Sequence, residues 1–237
     1  MFAAAAHRPA VRAFRAAFPL TLPVMAGFAF LGIAYGVLMH SAGMGAGWVF
    51  LMSFIVFAGS MQYVAIAFFA ASFNPLYALA VTLMVNARHV FYGLSMLDKI
   101  KNAGPLKPYV IFALCDETFS ILCSGETPEG IDRGWFMFFV ALLNHLYWVL
   151  GSLCGALIGN LLTINTEGLD FTLTALFVVI FLNQWMKPEN RPSSLIGGGC
   201  SLVCIFLFGP DRFIIPAMAL MLAVFALSGK KLPGGNV

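Results

Sequence analysis

Long uninterrupted apolar stretches, each ended by a short cluster of Gly, Pro and charged residues, dominate the chain from Pro19 onward. Their lengths suit helices that cross a bilayer, and they lack the alternation of roughly ten-residue barrel strands. The candidate segments run from Pro19 to His40, Ala46 to Phe73, Pro75 to Met96, Pro108 to Ser124, Trp135 to Leu162, Phe171 to Met186 and Leu195 to Ser228. The last is interrupted by Gly209, Pro210, Asp211 and Arg212, which predicts a pair of short helices; the total is eight segments if that break is a turn and seven if it is a kink.

Two unusually long uninterrupted segments, Ala46 to Phe73 and Trp135 to Leu162, admit two readings. Each is either a long tilted helix or a broken, re-entrant one that enters and leaves on the same side. Gly59 and Ser60 sit at the midpoint of the first, where a helix can unwind. If both are broken, each half of the chain runs span, broken segment, span in one orientation, the arrangement of a parallel repeat.

Composition agrees with the pattern. Of 237 residues, 61% are hydrophobic and 10% charged, and the mean hydropathy is +0.91. The fold class expected is an all-α polytopic membrane protein. The net charge of +3 is spread over loops and ends, so it reports orientation and gives no reason to expect nucleic-acid binding. Arg8, Arg12 and Arg15 place a cytoplasmic arm at residues 1–18, ahead of a first span that is retained rather than cleaved as a signal peptide. A single membrane domain at 19–228 and a cytoplasmic tail at 229–237 with Lys230 and Lys231 complete the division. The lysine-bearing connector from Asp98 to Lys107 is expected on the cytoplasmic side as well.

The five cysteines lie in or beside apolar runs and read as small buried hydrophobes. Cys200 and Cys204 are one turn apart, but no histidine or second cysteine pair accompanies them, so no metal and no cofactor are expected.

Candidate chemistry concentrates in three places. The segment FAGSMQ, Phe57 to Gln62, sets Gly59, Ser60 and the Gln62 amide inside an uncharged run. Unwinding there would expose backbone groups to a carboxylate or an ammonium; the alternative is that small residues admit a neighbouring helix. Second, Asn86, Arg88, His89 and Tyr92 gather polarity in one span. Arg88 can bind a carboxylate in bidentate fashion or pair with Asp116 or Glu117. Third, Asp116 and Glu117 lie at a depth matching Arg88, roughly 12 and 15 Å from the shared connector at ~1.5 Å per residue. An antiparallel helix pair would bring them face to face. Adjacent acids diverge by roughly 100° on a helix, so one can pair with Arg88 while the other carries a proton, His89 being the other proton site or a helix-to-helix hydrogen-bonding residue.

Gly151, Gly155 and Gly159 form a stripe that reads as helix packing, internal or against a partner. Asn144, His145 and Trp148 on the same segment can line a cavity. No HExxH or GxSxG spacing supports an intramembrane enzyme built on His89, Asp116, Glu117 and His145, and a membrane scaffold is the third alternative to a transporter.

At these residues the chain resembles the AzlC family, the large subunit of bacterial branched-chain amino-acid exporters. The features are Pro23 with GFAFLGIAYG (Gly27 to Gly36), FAGSMQ, NARHVFYGLSM (Asn86 to Met96) and DETF (Asp116 to Phe119), in order over roughly the first half of the chain. The resemblance implies export of Leu, Ile, Val and sometimes Met across the bacterial inner membrane, and a small hydrophobic AzlD-type partner subunit. Asn86 stands where some members carry Asp, which removes one proton site. The readings combine into a proton-coupled secondary transporter. Its substrate meets Gly59, Ser60, Gln62, Asn86, Arg88 and Tyr92, and its switching ion-pair network is Arg88, His89, Asp116 and Glu117. A different amino-acid-like substrate is the nearest rival, and assembly into a higher oligomer stays open.

Overall fold

A computed structural model describes residues 2–70, 74–124, 127–161, 171–186, 188, 191–209 and 213–227. Its regular elements among these residues are all helical, as the apolar pattern predicts, and the chain is an all-α membrane protein. Among the described residues, three helices are long and apolar enough to cross a bilayer: Pro9–Ser41, Arg133–Leu161 and Arg191–Phe208. Two compact units, Met1–Asp170 and Phe171–Val237, divide the chain.

The first unit is framed by α1 (Phe2–Ser41) and α8 (Arg133–Leu161), which lie side by side and parallel. Phe14 meets Phe139 edge-on, the Thr21 and Tyr147 hydroxyls are 3.2 Å apart, Phe28 meets Trp148, and Gly159 backs onto His40. Gly32 and Gly36 face Gly151, Ser152, Gly155 and Ala156, with backbone in contact across the seam. Small residues permit that approach, and close packing rather than water exclusion holds helices together in lipid. Pro9, Pro19 and Pro23 lie within α1 without ending it; each removes one internal amide donor, so the helix relies on its neighbour.

Against the two frame helices, two hairpins enter from opposite ends. α2 (Ala46–Leu51) continues as a π turn (Met52–Val56) from the His40 end. The chain reverses at Phe57, whose φ of 41° is left-handed, a conformation that costs a non-glycine residue ~1–2 kcal/mol. Burial of the Phe57 ring against His145, 4.5 Å between centroids, offsets that strain. α3 (Gly59–Ala70) then runs back toward the His40 end. Gln62 faces Ser53 across the reversal, and the Tyr63 hydroxyl reaches the Leu31 carbonyl at 2.7 Å.

One crossing follows, made of α4 (Pro75–Asn86) and α5 (Arg88–Ile100) with a turn at Ala87. A 3₁₀ connector, Lys101–Leu106, bends at Gly104 with φ 58°. It leads to the second hairpin: α6 (Lys107–Phe112), a reversal at 113–115, and α7 (Asp116–Ser124). α7 runs parallel to α5. Arg88 meets Asp116 at their N-terminal ends, Tyr92 stacks on Phe119 at 4.5 Å, and the Lys99 ammonium donates to the Leu122 and Cys123 carbonyls at 3.2 and 2.6 Å. Ser124 therefore returns to the end it came from. Ala13, Ala17, Ile100, Ala103, Leu122 and Phe136 share the apolar cluster at that end.

Several sequence expectations change. The reversal in Ala46 to Phe73 is present, immediately before Gly59. The segment from Trp135 to Leu162 is unbroken through Leu161, because its glycines are held against α1 in regular helix. Pro108 to Ser124, read as one crossing, is re-entrant. Arg88 and Asp116 do pair, as their matched depth suggests, but from a parallel rather than an antiparallel pair of helices. With Trp135 to Leu162 unbroken, the condition for a parallel repeat is not met among the described residues; one hairpin opens toward each end, an inverted arrangement. α8 also passes once from the Arg12 end to the His40 end, so Trp135 to Leu162 does not enter and leave on one side; Leu162 itself lies outside the described residues.

In the second unit, α9 (Phe171–Met186), α10 (Arg191–Phe208) and α11 (Ile214–Leu227) are separate helices, with Gly209 at φ 75° ending α10 as its position in the sequence suggests. Cys200 and Cys204 are buried on α10. Cys123 and Cys154 are exposed instead, since they lie on outer faces of their helices, and all five cysteines are free thiols. Pro210 to Arg212 and the tail after Leu227 lie outside the described residues.

Candidate functional site

Three helices begin at the meeting point of the hairpins. In α3 the first backbone bond comes from the Gln62 amide to the Ala58 carbonyl, and in α7 from the Phe119 amide to the Cys115 carbonyl. The amides of the preceding turn thus point toward the centre of the unit without helical acceptors. α5 begins there too, at Arg88. The converging ends carry partial positive charge that Asp116 and Glu117, in the first turn of α7, complement.

Arg88 ties the three ends together. Its Nη1 lies 2.9 Å from Asp116 Oδ2, and its Nη2 donates to Ser60 Oγ. The Arg88 and Asp116 side chains are 29% and 25% exposed, shielded but not sealed. Glu117 lies within electrostatic range of both. Two acceptor atoms here are buried without a hydrogen-bond partner, Asp116 Oδ1 and Asn86 Oδ1, and Asn86 ends the helix immediately before Arg88. Such acceptors cost ~1–3 kcal/mol each when left unsatisfied, so they invite a donor.

The other candidates have local roles. Gly59 opens α3 beneath the Trp148 ring, which a Cβ would meet at 3.2 Å. Both ends of the buried Gln62 amide are engaged: Oε1 accepts from Trp148 Nε1 at 2.9 Å and Nε2 donates to Ser53 Oγ at 3.2 Å. His89 Nδ1 faces the Asn86 carbonyl at 3.1 Å while its ring meets Tyr92 edge-on. Tyr92 is held by the Phe119 stack beside Asp116 and Arg88.

Sequence reasoning missed Ser53, Lys99, Tyr109 and Thr118. Asn144 donates to Thr118 Oγ1 at 3.1 Å, and Tyr109 meets His145 Nδ1 at 2.8 Å. α8 therefore stitches both hairpins, Thr118 on one and Gln62 on the other. The legible signal was DETF itself: acids followed by threonine read as a helix start as readily as charges in mid-span.

Comparison with known proteins places this geometry in a lineage. Residues 23–162 match the family model described as AzlC protein, a range that contains both hairpins and ends with α8. The chain is 55% identical to the "Branched-chain amino acid transport protein AzlC" of Bacillus subtilis, over 95% of this chain and 89% of that one. It is 43% identical to an uncharacterized membrane protein of Haemophilus influenzae over 89% and 86% of the two chains, and 37% identical to one of Helicobacter pylori over 94% and 97%. No solved structure matches the chain. On the family match across the hairpin core and the identity to the Bacillus subtilis protein along nearly its whole length, this chain belongs to the AzlC family.

Proposed function

We propose that this protein is a secondary transporter that moves branched-chain amino acids, Leu, Ile and Val with Met as a further substrate, out of the bacterial cell across the inner membrane. The observation that carries the reading is the paired character of the central site. Arg88 and the helix starts offer donors to a carboxylate, while the buried Asp116 Oδ1 and Asn86 Oδ1 offer acceptors to an ammonium. A zwitterion needs both within a few ångströms. The name of the Bacillus subtilis relative, a branched-chain amino acid transport protein, supplies the substrate class and supports transport as the activity.

In this reading the carboxylate competes with Asp116 for Arg88, so binding loosens the link between the hairpins and the site opens to one end at a time. Glu117 carries the coupling proton as that pair exchanges. Aliphatic side chains differing by one methylene are separated only ~10–200-fold by an apolar pocket, hence the overlapping substrates. A small AzlD-type subunit completes the transporter, and the N-terminus faces the cytoplasm.

The test is leucine counterflow in proteoliposomes containing this chain, with and without the small subunit. Leucinol lacks the carboxylate and 4-methylpentanoate lacks the ammonium. Competition by Ile, Val and Met but by neither analogue is the expected result. Competition by 4-methylpentanoate equal to that by leucine would sink the acceptor half of the site.

A further inference from the structure

His145 on α8 meets the tips of both hairpins, away from Arg88. Its ring packs on Phe54 and Phe57 of the first hairpin at 5.4 and 4.5 Å, and on Phe112 and Tyr109 of the second at 5.6 and 6.1 Å between centroids. Its Nδ1 lies 2.8 Å from the Tyr109 hydroxyl. Its Nε2 is buried without a hydrogen-bond partner, and the Ser53 and Phe54 carbonyls lie near the ring. Those carbonyls belong to the last turn before the reversal at Phe57, where helix geometry leaves acceptors unused and the dipole is negative.

We infer that His145 is a proton-binding site whose charged form clasps the two hairpin tips together. A neutral imidazole has one N–H for two polar faces. If Tyr109 donates to Nδ1, the proton on Nε2 serves the carbonyls with a neutral bond. In the other tautomer, the Nε2 lone pair confronts carbonyl lone pairs. The imidazolium donates on both sides at once, Nδ1–H to the Tyr109 oxygen and Nε2–H to the carbonyl end, and both bonds become charge-assisted. Proton uptake therefore strengthens the clasp and release weakens it.

The groups around the ring leave His145 as the one that switches. The first hairpin presents Ser53, Phe54 and Phe57, and α6 presents Tyr109, whose hydroxyl stays protonated near neutral pH. Asn144 and Trp148 on its own helix are neutral, and Tyr63 on α3 donates to Leu31. Asp116, paired with Arg88, and Glu117 lie within a turn of Thr118, the partner of neighbouring Asn144. The inference goes beyond the transport reading and requires no substrate.

The experiment uses the full chain in lipid nanodiscs with its five cysteines replaced by serine and spin labels at Leu51→Cys and Ile111→Cys. These are exposed positions, one on each hairpin. Pulsed electron spin resonance measures their separation from pH 5 to pH 8.5. The expected result is a single pH-dependent step toward a longer or broader separation, abolished by His145→Gln and reduced in amplitude by Tyr109→Phe. A separation independent of pH, or a step that survives in His145→Gln, would overturn the proposal. If His145→Gln does not yield folded protein, ¹⁵N-histidine resonances in a variant whose other three histidines are glutamine decide it. The remaining ring titrates in step with the separation if the clasp exists, and one that keeps a single protonation state throughout overturns it. Failure here leaves the counterflow result untouched.

Discussion

A Cβ built on Gly155 would sit 2.1 Å from the carbonyl oxygen of Ile33, so the backbones of α8 and α1 meet with no room for a methyl group. Gly36 faces Ser152 with the same 2.1 Å clearance. Alanine at either position must push two long helices apart, and the obstacle is backbone, which cannot rotate away.

Gly155→Ala and Gly36→Ala should each destabilise the protein by roughly 3 kcal/mol, the upper end of the usual range for overpacked interiors. Gly27→Ala is the control, since nothing lies within 4 Å of its Cβ position and alanine is the better helix former by ~1 kcal/mol. Thermal denaturation of detergent-purified variants separates the two classes, and equal melting temperatures for Gly155→Ala and Gly27→Ala would refute the seam.

Removing Arg88 or Asp116 singly should weaken the fold by about 2–4 kcal/mol, somewhat below the range for fully buried pairs because each side chain is about a quarter exposed. The double change Arg88→Gln with Asp116→Asn removes both charges and should be less damaging than the two single changes added together. A thermodynamic cycle on melting data checks this. Simple additivity would mean that the ion pair contributes nothing of its own.

Gln62 is a brace between α8 and the first hairpin. Trp148→Phe leaves Gln62 Oε1 buried without its donor, at a cost of about 1–2 kcal/mol. In a Gln62→Leu background the same change should cost clearly less, with a coupling near 0.6 kcal/mol, the average for such bonds in membranes. A coupling of zero would place the Trp148 indole elsewhere.

Lys99 closes the C-terminal end of α7 through the carbonyls of Leu122 and Cys123. Lys99→Met should cost about 0.5–1 kcal/mol and speed amide exchange in the last turn of α7, while Lys99→Arg restores most of the protection. Unchanged exchange at residues 120–124 in Lys99→Met would show that the turn is held by packing alone.

The sequence made some of this legible for identifiable reasons. Gly59 and Ser60 marked a reversal because glycine after a long apolar run is a strong local signal. Arg88 and Asp116 were paired because charges inside apolar segments need partners. The reversal at 113–115 was hidden: Ala113, Leu114 and Cys115 contain neither glycine nor proline. It exists because α6 and α7 pack on α5 and α8, a tertiary cause with no local signature. Length alone made α8 look breakable, whereas its glycine stripe, read as packing, does pack on Ile33 and His40 of α1. His145 was noticed as a cavity residue and as a member of the enzyme alternative, but its place between the hairpins was not, because nothing along the chain announces which rings two distant hairpins will bring to it.

The parallel pairing of α1 with α8 also sets an order of assembly. The ribosome delivers α1 first and α8 only after both hairpins and the α4–α5 crossing have been made, so Gly32 and Gly36 wait in the membrane with their small-residue face against lipid. Until Gly155 emerges, each hairpin has one wall and no post to be stitched to. Biogenesis of this unit thus ends with a single late docking event rather than a succession of independent insertions. A nascent chain halted before Gly151 is the form that quality-control proteases should meet.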